Sequence, residues 1–213
     1  MSDVSGEVTL LCLGPLTNVA LAFRLDPKFL TKLKNLVVMG GSVEGKYSVG
    51  NIRPGIEFNF YVDPEAAFIA FNSTDTSTGD IQPITLVPYE SVSERNLISM
   101  DWRKNVLGNL TSSEVQLINK AERNHLGEDI LYWECADCLA AAVTINSSII
   151  EKSATLYAYV AADGTSGRGA VFVDYKGSES MSHNVIIVRS INVDSYKTML
   201  LSGIGGIPPA KVK

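Results

Sequence analysis

The sequence predicts an α/β fold: an open, mostly parallel sheet flanked by helices. Three observations carry this. Two nearly continuous apolar runs, Val8-Thr9-Leu10-Leu11-Cys12-Leu13 and Leu36-Val37-Val38-Met39, read as strands buried on both faces, the pattern of a parallel sheet. The Ala- and Leu-rich segment 16–25 between them reads as a helix, so the chain opens strand, helix, strand. The last third turns to β-branched, partly alternating segments with Gly-rich turns between them, which adds further strands.

Each element has its own punctuation. Gly14-Pro15 closes the first strand, and Thr17 or Asn18 stands near the start of the helix that follows. Asp26-Pro27 restarts a short helix, since Asp caps and Pro suits the first helical position. Gly40-Gly41 ends the second strand, and a polar, glycine-bearing loop of functional length runs from Gly41 to Asn59. Asp63-Pro64-Glu65 begins a helix reaching about Phe71, and Ile84-Thr85-Leu86-Val87 is a third strand. The stretch from Ser91 to Asn124 reads as mainly helical, broken near Gly108 and capped again by Thr111-Ser112-Ser113-Glu114. Asp137 stands as a cap before an alanine-rich helix, Cys138 to Asn146. Strands are expected at Ala154 to Val160, Gly169 to Asp174 and Asn184 to Arg189, and a closing helix at Val193 to Leu201. No repeat or linker divides the chain, so residues 1–213 read as a single domain.

Composition narrows the partners. With 46% hydrophobic and 19% charged residues the chain is globular, and no apolar run reaches a membrane span. A net charge of -5 without a basic cluster argues against a nucleic-acid partner. The N-terminus carries no signal-peptide pattern, which by itself decides little; a cytoplasmic protein is expected, with a secreted one, in which the sequons at Asn72 and Asn109 would matter, as the alternative. Cys135-Ala136-Asp137-Cys138 has redox-motif spacing, but with Cys12 these cysteines read as reduced, mostly buried thiols.

Ligands of open α/β sheets bind beyond the carboxyl ends of the strands. Two segments lie there: Leu13-Gly14-Pro15-Leu16-Thr17-Asn18, and Met39-Gly40-Gly41 with its long loop. That loop places Glu57 between the carboxamides Asn51 and Asn59, a set able to donate to and accept from the vicinal hydroxyls of a sugar. The same residues in a Gly/Pro loop also make ordinary turns. The tail glycines from Gly203 to Gly206 follow no strand and make a weak phosphate cradle, and His125 and His183 have no nucleophile elbow to serve.

These blocks carry a resemblance. Leu13 to Asn18, Val38-Met39-Gly40-Gly41, Gly50-Asn51, Glu57-Phe58-Asn59 and Val62-Asp63-Pro64-Glu65-Ala66-Ala67 resemble, in order and spacing, motifs of the inosine-uridine nucleoside hydrolases; Ala136-Asp137 and Arg168-Gly169 with Val173-Asp174 extend the match. The resemblance implies a Rossmann-like sheet and hydrolysis of a nucleoside to base and ribose. It implies Ca2+ held by the Leu13 carbonyl and Asp137, with Met39, Asn51, Glu57, Asn59 and Asp137 around the ribose, and homo-oligomers are common in such a family. Two departures stand out. The family's N-terminal aspartate cluster, which would supply the general base and further calcium ligands on a first strand, is missing, and only Asp3 precedes the Leu-Gly-Pro block. Ala136 stands where a base-contacting His or Trp is frequent, leaving Tyr132 and Trp133 as candidates to stack on a base. The expectation is a member incomplete for catalysis, with a non-enzymatic nucleoside- or ribose-binding paralogue as the alternative.

Overall fold

The structure is a computed structural model that describes residues 5–44, 50–127 and 129–205. Its elements in chain order are β1 (Val8–Cys12), α1 (Thr17–Leu25), β2 (Leu33–Met39), α2 (Phe58–Val62), α3 (Pro64–Asn72), β3 (Ile84–Val87), β4 (Ile98–Ser99), α4 (Met100–Trp102), α5 (Ser113–Glu122), β5 (Tyr132–Trp133), α6 (Ala136–Ile145), β6 (Ile150–Val160), β7 (Val171–Asp174), β8 (Val185–Ile191) and α7 (Val193–Ile204). Six strands form one sheet in the order β1-β2-β3-β8-β6-β7, and β4 pairs with β5 apart from it. β1, β2, β3 and β8 run parallel; β6 is antiparallel to β8 and to β7. The predicted α/β fold with a mostly parallel sheet is therefore what the chain forms.

Alternation along the parallel strands divides the core between the two faces. Leu36 and Val38 of β2, Ile84 and Leu86 of β3 and Val185 and Ile187 of β8 pack under α1 and α3 with Phe60, Ala67 and Phe71. Met39, Val87, Val188 and Ile191 face the other way, under Leu139 and Val143 of α6 and Tyr196 and Leu200 of α7. Burying a Leu or Phe side chain contributes roughly 1.5–3 kcal/mol, so these two layers dominate the folding free energy.

Several expectations need correction. β1 is an edge strand among the described residues, with Val8 43% exposed and its other residues half-buried, because only β2 pairs with it. A continuous apolar run does not distinguish an edge from a centre. The stretch after Ser91 is mainly helical as expected, with a break after Leu107 and α5 as its last piece, but its first part is made of short π-helical segments, Ser91–Arg95 and Arg103–Leu107, around β4 and α4. The cap of α5 is Ser112, whose hydroxyl accepts from the Val115 amide at 3.3 Å. Asp137 is not a cap: α6 begins at Ala136, Cys135 holds the N-cap position, and Asp137 lies in the first turn. Cys135 and Cys138 are joined as a disulfide, against the expectation of reduced thiols, because the cap and the first turn bring their Cα atoms to 5.4 Å. Cys12 is free. No helix among the described residues is long and apolar enough to cross a membrane.

The quoted sequence blocks are joined by specific contacts. Asp63 caps α3, accepting from the Ala66 amide at 3.0 Å, and its other oxygen accepts from the Thr17 hydroxyl at the start of α1. Arg168, at the turn before β7, pairs with Glu65 of α3 at 2.6 Å. The next residue, Gly169, has φ +89° and packs so closely that a Cβ there would lie 2.9 Å from the Phe60 carbonyl oxygen. Only glycine lets the β6–β7 hairpin approach α2 in this way.

Candidate functional site

The carboxyl ends of β2 and β3, the start of α2 and the start of α6 meet in one region, and Glu57 is its structural centre. Glu57 sits just before α2 with extended backbone, and its carboxylate accepts from the amides of Asn59 at 2.8 Å and Phe60 at 3.3 Å. The same carboxylate accepts from the Gly41 amide at 2.9 Å, which ties α2 to the exit of β2. Glu57 is 1% exposed. Burial pushes its carboxyl above the usual carboxylate range against the pull of the three N–H donors, and the charge of Asp137 adds to the rise. Asp137 is thus within Coulombic range of Glu57.

Asn59 lies in the first turn of α2, buried, and its Nδ2 donates to the Met39 carbonyl at 3.1 Å and lies 3.3 Å from the Met39 sulfur. Asn51 is exposed and accepts through Oδ1 from the Phe58 amide at 2.8 Å, so it shapes the approach to α2. Leu13 follows Cys12, which pairs with Val38, and this register puts Leu13 beside Met39 at the open end of the sheet, 40% exposed. Asp137 is exposed as a residue, and partial desolvation raises its carboxyl above the ordinary value. The structure thus links Glu57 to Asn59 and Asn59 to Met39 by direct bonds and attaches Asn51 through Phe58, while Asp137 is tied to the set only by its charge acting on Glu57. Asp3 lies outside the described residues.

Sequence reasoning missed the third strand's contribution. Beyond β3, Pro88-Tyr89-Glu90 enters the region: the Tyr89 amide donates to the Gly41 carbonyl at 3.0 Å, and the Tyr89 hydroxyl donates to Glu134 at 3.0 Å. Desolvation, with the charges of Glu134 and Glu57, pushes the Tyr89 phenol up to about 12. Glu90 is 1% exposed, and its Oε1 accepts from the Ser42 hydroxyl at 2.7 Å, the Val43 amide at 2.8 Å and the Glu44 amide at 3.0 Å. Two buried carboxylates, Glu57 and Glu90, therefore grip the chain as it leaves β2. Applying the strand-end rule to β3 as well as to β1 and β2 would have found both residues.

The stacking candidates divide. Trp133 is buried, its indole N–H donates to Glu122 at 3.1 Å, and Arg103 lies over its ring, so it is a packing residue. Tyr132 is 46% exposed and lines a cavity of about 420 Å3 with Met100, His125 and Glu134. As for calcium, the described donors do not fit it: no three His, Cys, Asp or Glu side chains among the described residues cluster to hold a metal, and the Leu13 carbonyl and Asp137 fall short of the roughly 6–8 oxygens calcium takes.

Comparison with known proteins adds an independent line. The model of the family described as inosine-uridine preferring nucleoside hydrolase matches residues 2–198. Uridine nucleosidase 1 of Arabidopsis thaliana is 40% identical over 119 residues, which are 56% of this chain and 32% of that protein. A pyrimidine-specific ribonucleoside hydrolase of Escherichia coli is 46% identical over 68 residues, 32% of this chain and 20% of that one. The solved structure of an inosine-guanosine nucleoside hydrolase superposes with a TM-score of 0.80 at 25% identity, over 92% of this chain and 61% of its own length. In each case the match spans less than two thirds of the relative.

Proposed function

Since the chain belongs to the inosine-uridine preferring nucleoside hydrolase family, we propose that its cleft binds the ribose of a nucleoside for hydrolysis of the N-glycosidic bond. The observation that carries this is the Glu57 knot, in which one buried carboxylate fixes the exit of β2 and the first turn of α2 together. It holds Asn59 with its Nδ2 on the Met39 carbonyl. Asn59 Oδ1 accepts from one ribose hydroxyl, and the Asp137 carboxylate accepts from its neighbour. The sugar gains oxocarbenium character as the base leaves, and a fixed negative charge at Asp137 is stabilising there. Met39 packs against the ribose, and Asn51 and Glu57 shape the end of the pocket that takes the 5′ hydroxyl.

The chain's own residues, as described, provide sugar recognition and one carboxylate; they provide neither a general base nor a calcium cage. These described residues carry the nucleoside-binding part of that reaction, and turnover needs a general base and further metal ligands besides them. Uracil is the base to test first, because the curated relatives of higher identity carry uridine or pyrimidine in their names, with inosine as the comparison. Calorimetric titration with uridine, inosine and free ribose is the test. Saturable nucleoside binding that falls about tenfold or more in Asp137→Ala and Asn59→Ala is expected. Nucleoside binding that neither substitution weakens would overturn the assignment of the cleft. Calcium-dependent ribose release by the purified chain would overturn the incompleteness.

A further inference from the structure

The cysteine pair at the start of α6 brackets Asp137, and nothing in sugar recognition or hydrolysis uses it. We propose that Cys135–Cys138 is a reversible thiol–disulfide exchange site for a small dithiol reductant, and that its oxidised form holds the first turn of α6, Asp137 included, in place. The consequence at Asp137 rests on the reading of that residue as a ribose partner; the exchange chemistry does not.

Four observations support it. The sulfurs are bridged, and the Cα atoms stand 5.4 Å apart, within the span a disulfide closes. Cys135 occupies the N-cap position of α6, and no side chain caps the helix there, so the bridge is the covalent fastening of an otherwise uncapped end. The main chain at Cys135 is fixed on its other side, because its carbonyl accepts from the Leu139 amide at 3.1 Å and from the buried Tyr196 hydroxyl at 3.3 Å. Finally, both cysteines are half-buried, and Cys138 lines a cavity of about 560 Å3 between α6 and α7, which gives a small reagent an approach.

The chemistry balances as an ordinary exchange. A thiolate of the dithiol enters from the cavity and attacks Cys138 Sγ. The Cys135–Cys138 bond breaks, and Cys135 leaves as a thiolate at the N-terminus of α6, where unpaired backbone N–H groups favour negative charge. The second thiol of the reductant then displaces Cys138 and closes its own disulfide, so that two electrons and two protons pass to the cysteine pair. Oxidation by glutathione disulfide runs the sequence backwards and releases two glutathione thiols. Glu134 and Asp137, the chain neighbours of the two cysteines, bring negative charge that opposes a thiolate and moderates the rate. Cys12 takes no part: burial pushes its thiol up to about 11, which leaves it almost entirely protonated near neutral pH and makes it an internal control.

Once reduced, the first turn of α6 has neither a covalent nor a side-chain cap, and it frays. The test uses the whole chain in native buffer. It is equilibrated against a series of glutathione to glutathione-disulfide ratios, then against dithiothreitol, with alkylation and mass spectrometry to count free thiols. Amide hydrogen exchange is followed in parallel. Cys135 and Cys138 are expected to gain and lose label together and reversibly while Cys12 stays unlabelled. Exchange at Leu139 and Ala140 should quicken roughly tenfold on reduction, as for a locally opened helix end. Cys135→Ser with Cys138→Ser should show the fast exchange in every buffer. A bond that dithiothreitol cannot open in the folded chain, or that never forms in oxidising glutathione, overturns the exchange site. Reversible exchange with unchanged amides overturns its hold on Asp137. Loss of the Asp137 role in nucleoside binding, with labelling and amide results as expected, would remove the ribose reading and leave the switch standing.

Discussion

Replacing Glu57 with alanine tests the architecture of the cleft most directly. The substitution removes an acceptor from three backbone donors, the amides of Gly41, Asn59 and Phe60, at a residue 1% exposed. A hydrogen bond to a charged group is worth about 1.5–3 kcal/mol net, and loss of an N-cap about 1 kcal/mol. Part of this is offset, because the carboxylate is itself buried and desolvated, which also pushes its pKa up. A net loss of about 3 kcal/mol follows for Glu57→Ala, and about 1–2 kcal/mol for Glu57→Gln, which keeps one acceptor oxygen. Urea unfolding monitored by circular dichroism reads this as a fall in midpoint at constant slope; with a slope near 2 kcal/mol/M the alanine variant shifts by about 1.5 M. If both variants stay within about 0.5 kcal/mol of the parent, an ordinary surface effect, Glu57 does not hold the exit of β2 and the argument for the cleft fails.

Four further outcomes follow from the same geometry. The folded pKa of Glu57 lies above its ordinary 4.5, so the folded state binds more protons in that window; stability from Glu57 is present at low pH and is lost as pH rises from 4.5 through the folded value, and the parent's advantage over Glu57→Gln should shrink with rising pH in paired urea titrations, not grow. Gly41→Ala puts a Cβ 2.8 Å from Val171 Cγ2 at φ +72°, and should cost about 2–3 kcal/mol by the same unfolding assay; a neutral result would refute the close packing of β7 on the β2 exit. Asn184→Ala should cost about 2–3 kcal/mol, because the buried carboxamide accepts from the Ala158 amide at 2.9 Å and donates to the carbonyls of Ala158 at 2.8 Å and Phe71 at 3.2 Å; a midpoint unchanged within error would contradict that network. Tyr89→Phe leaves the fold intact and removes only the bond to Glu134, so thermal unfolding should move by no more than about 1 kcal/mol, and a collapse of the fold would refute the assignment.

The parallel strands and the helices around them were legible because each is spelled by local chemistry. Leu36 to Met39 and Ile84 to Val87 are apolar runs of strand length, and Asp63-Pro64 states a helix start in two residues. What stayed hidden depends on partners distant in sequence. Glu57 in a Gly/Pro loop reads as a sugar partner or a turn residue, and its use as the cap of α2, bound also to the Gly41 amide from β2, appears only in the fold. β1 reads as central because apolar runs do not report how many neighbours a strand has. The spacing of Cys135 and Cys138 was visible and their oxidation state was not, since it depends on how the cap position orients the two sulfurs. In the site, Asn51, Glu57 and Asn59 were legible as a loop set suited to a sugar and gained their roles, with Met39 and Asp137, through resemblance to known motifs, whereas Tyr89 and Glu90 were passed over beside a strand whose end had not been read.

The carboxylate of Asp63 has a consequence for the way such a chain can vary. It caps α3 and receives the Thr17 hydroxyl, so two helices start from one shared anchor although 46 residues separate the partners. The spacing between α1 and α3 is thereby uncoupled from the length of the polypeptide that joins them. Closing a longer connection costs only about 0.6 kcal/mol for each doubling of its length. A longer connection between β2 and α2 would leave the bond between Gly41 and Glu57 where it stands. A chain built this way can change the length of its connections without renegotiating the packing beneath.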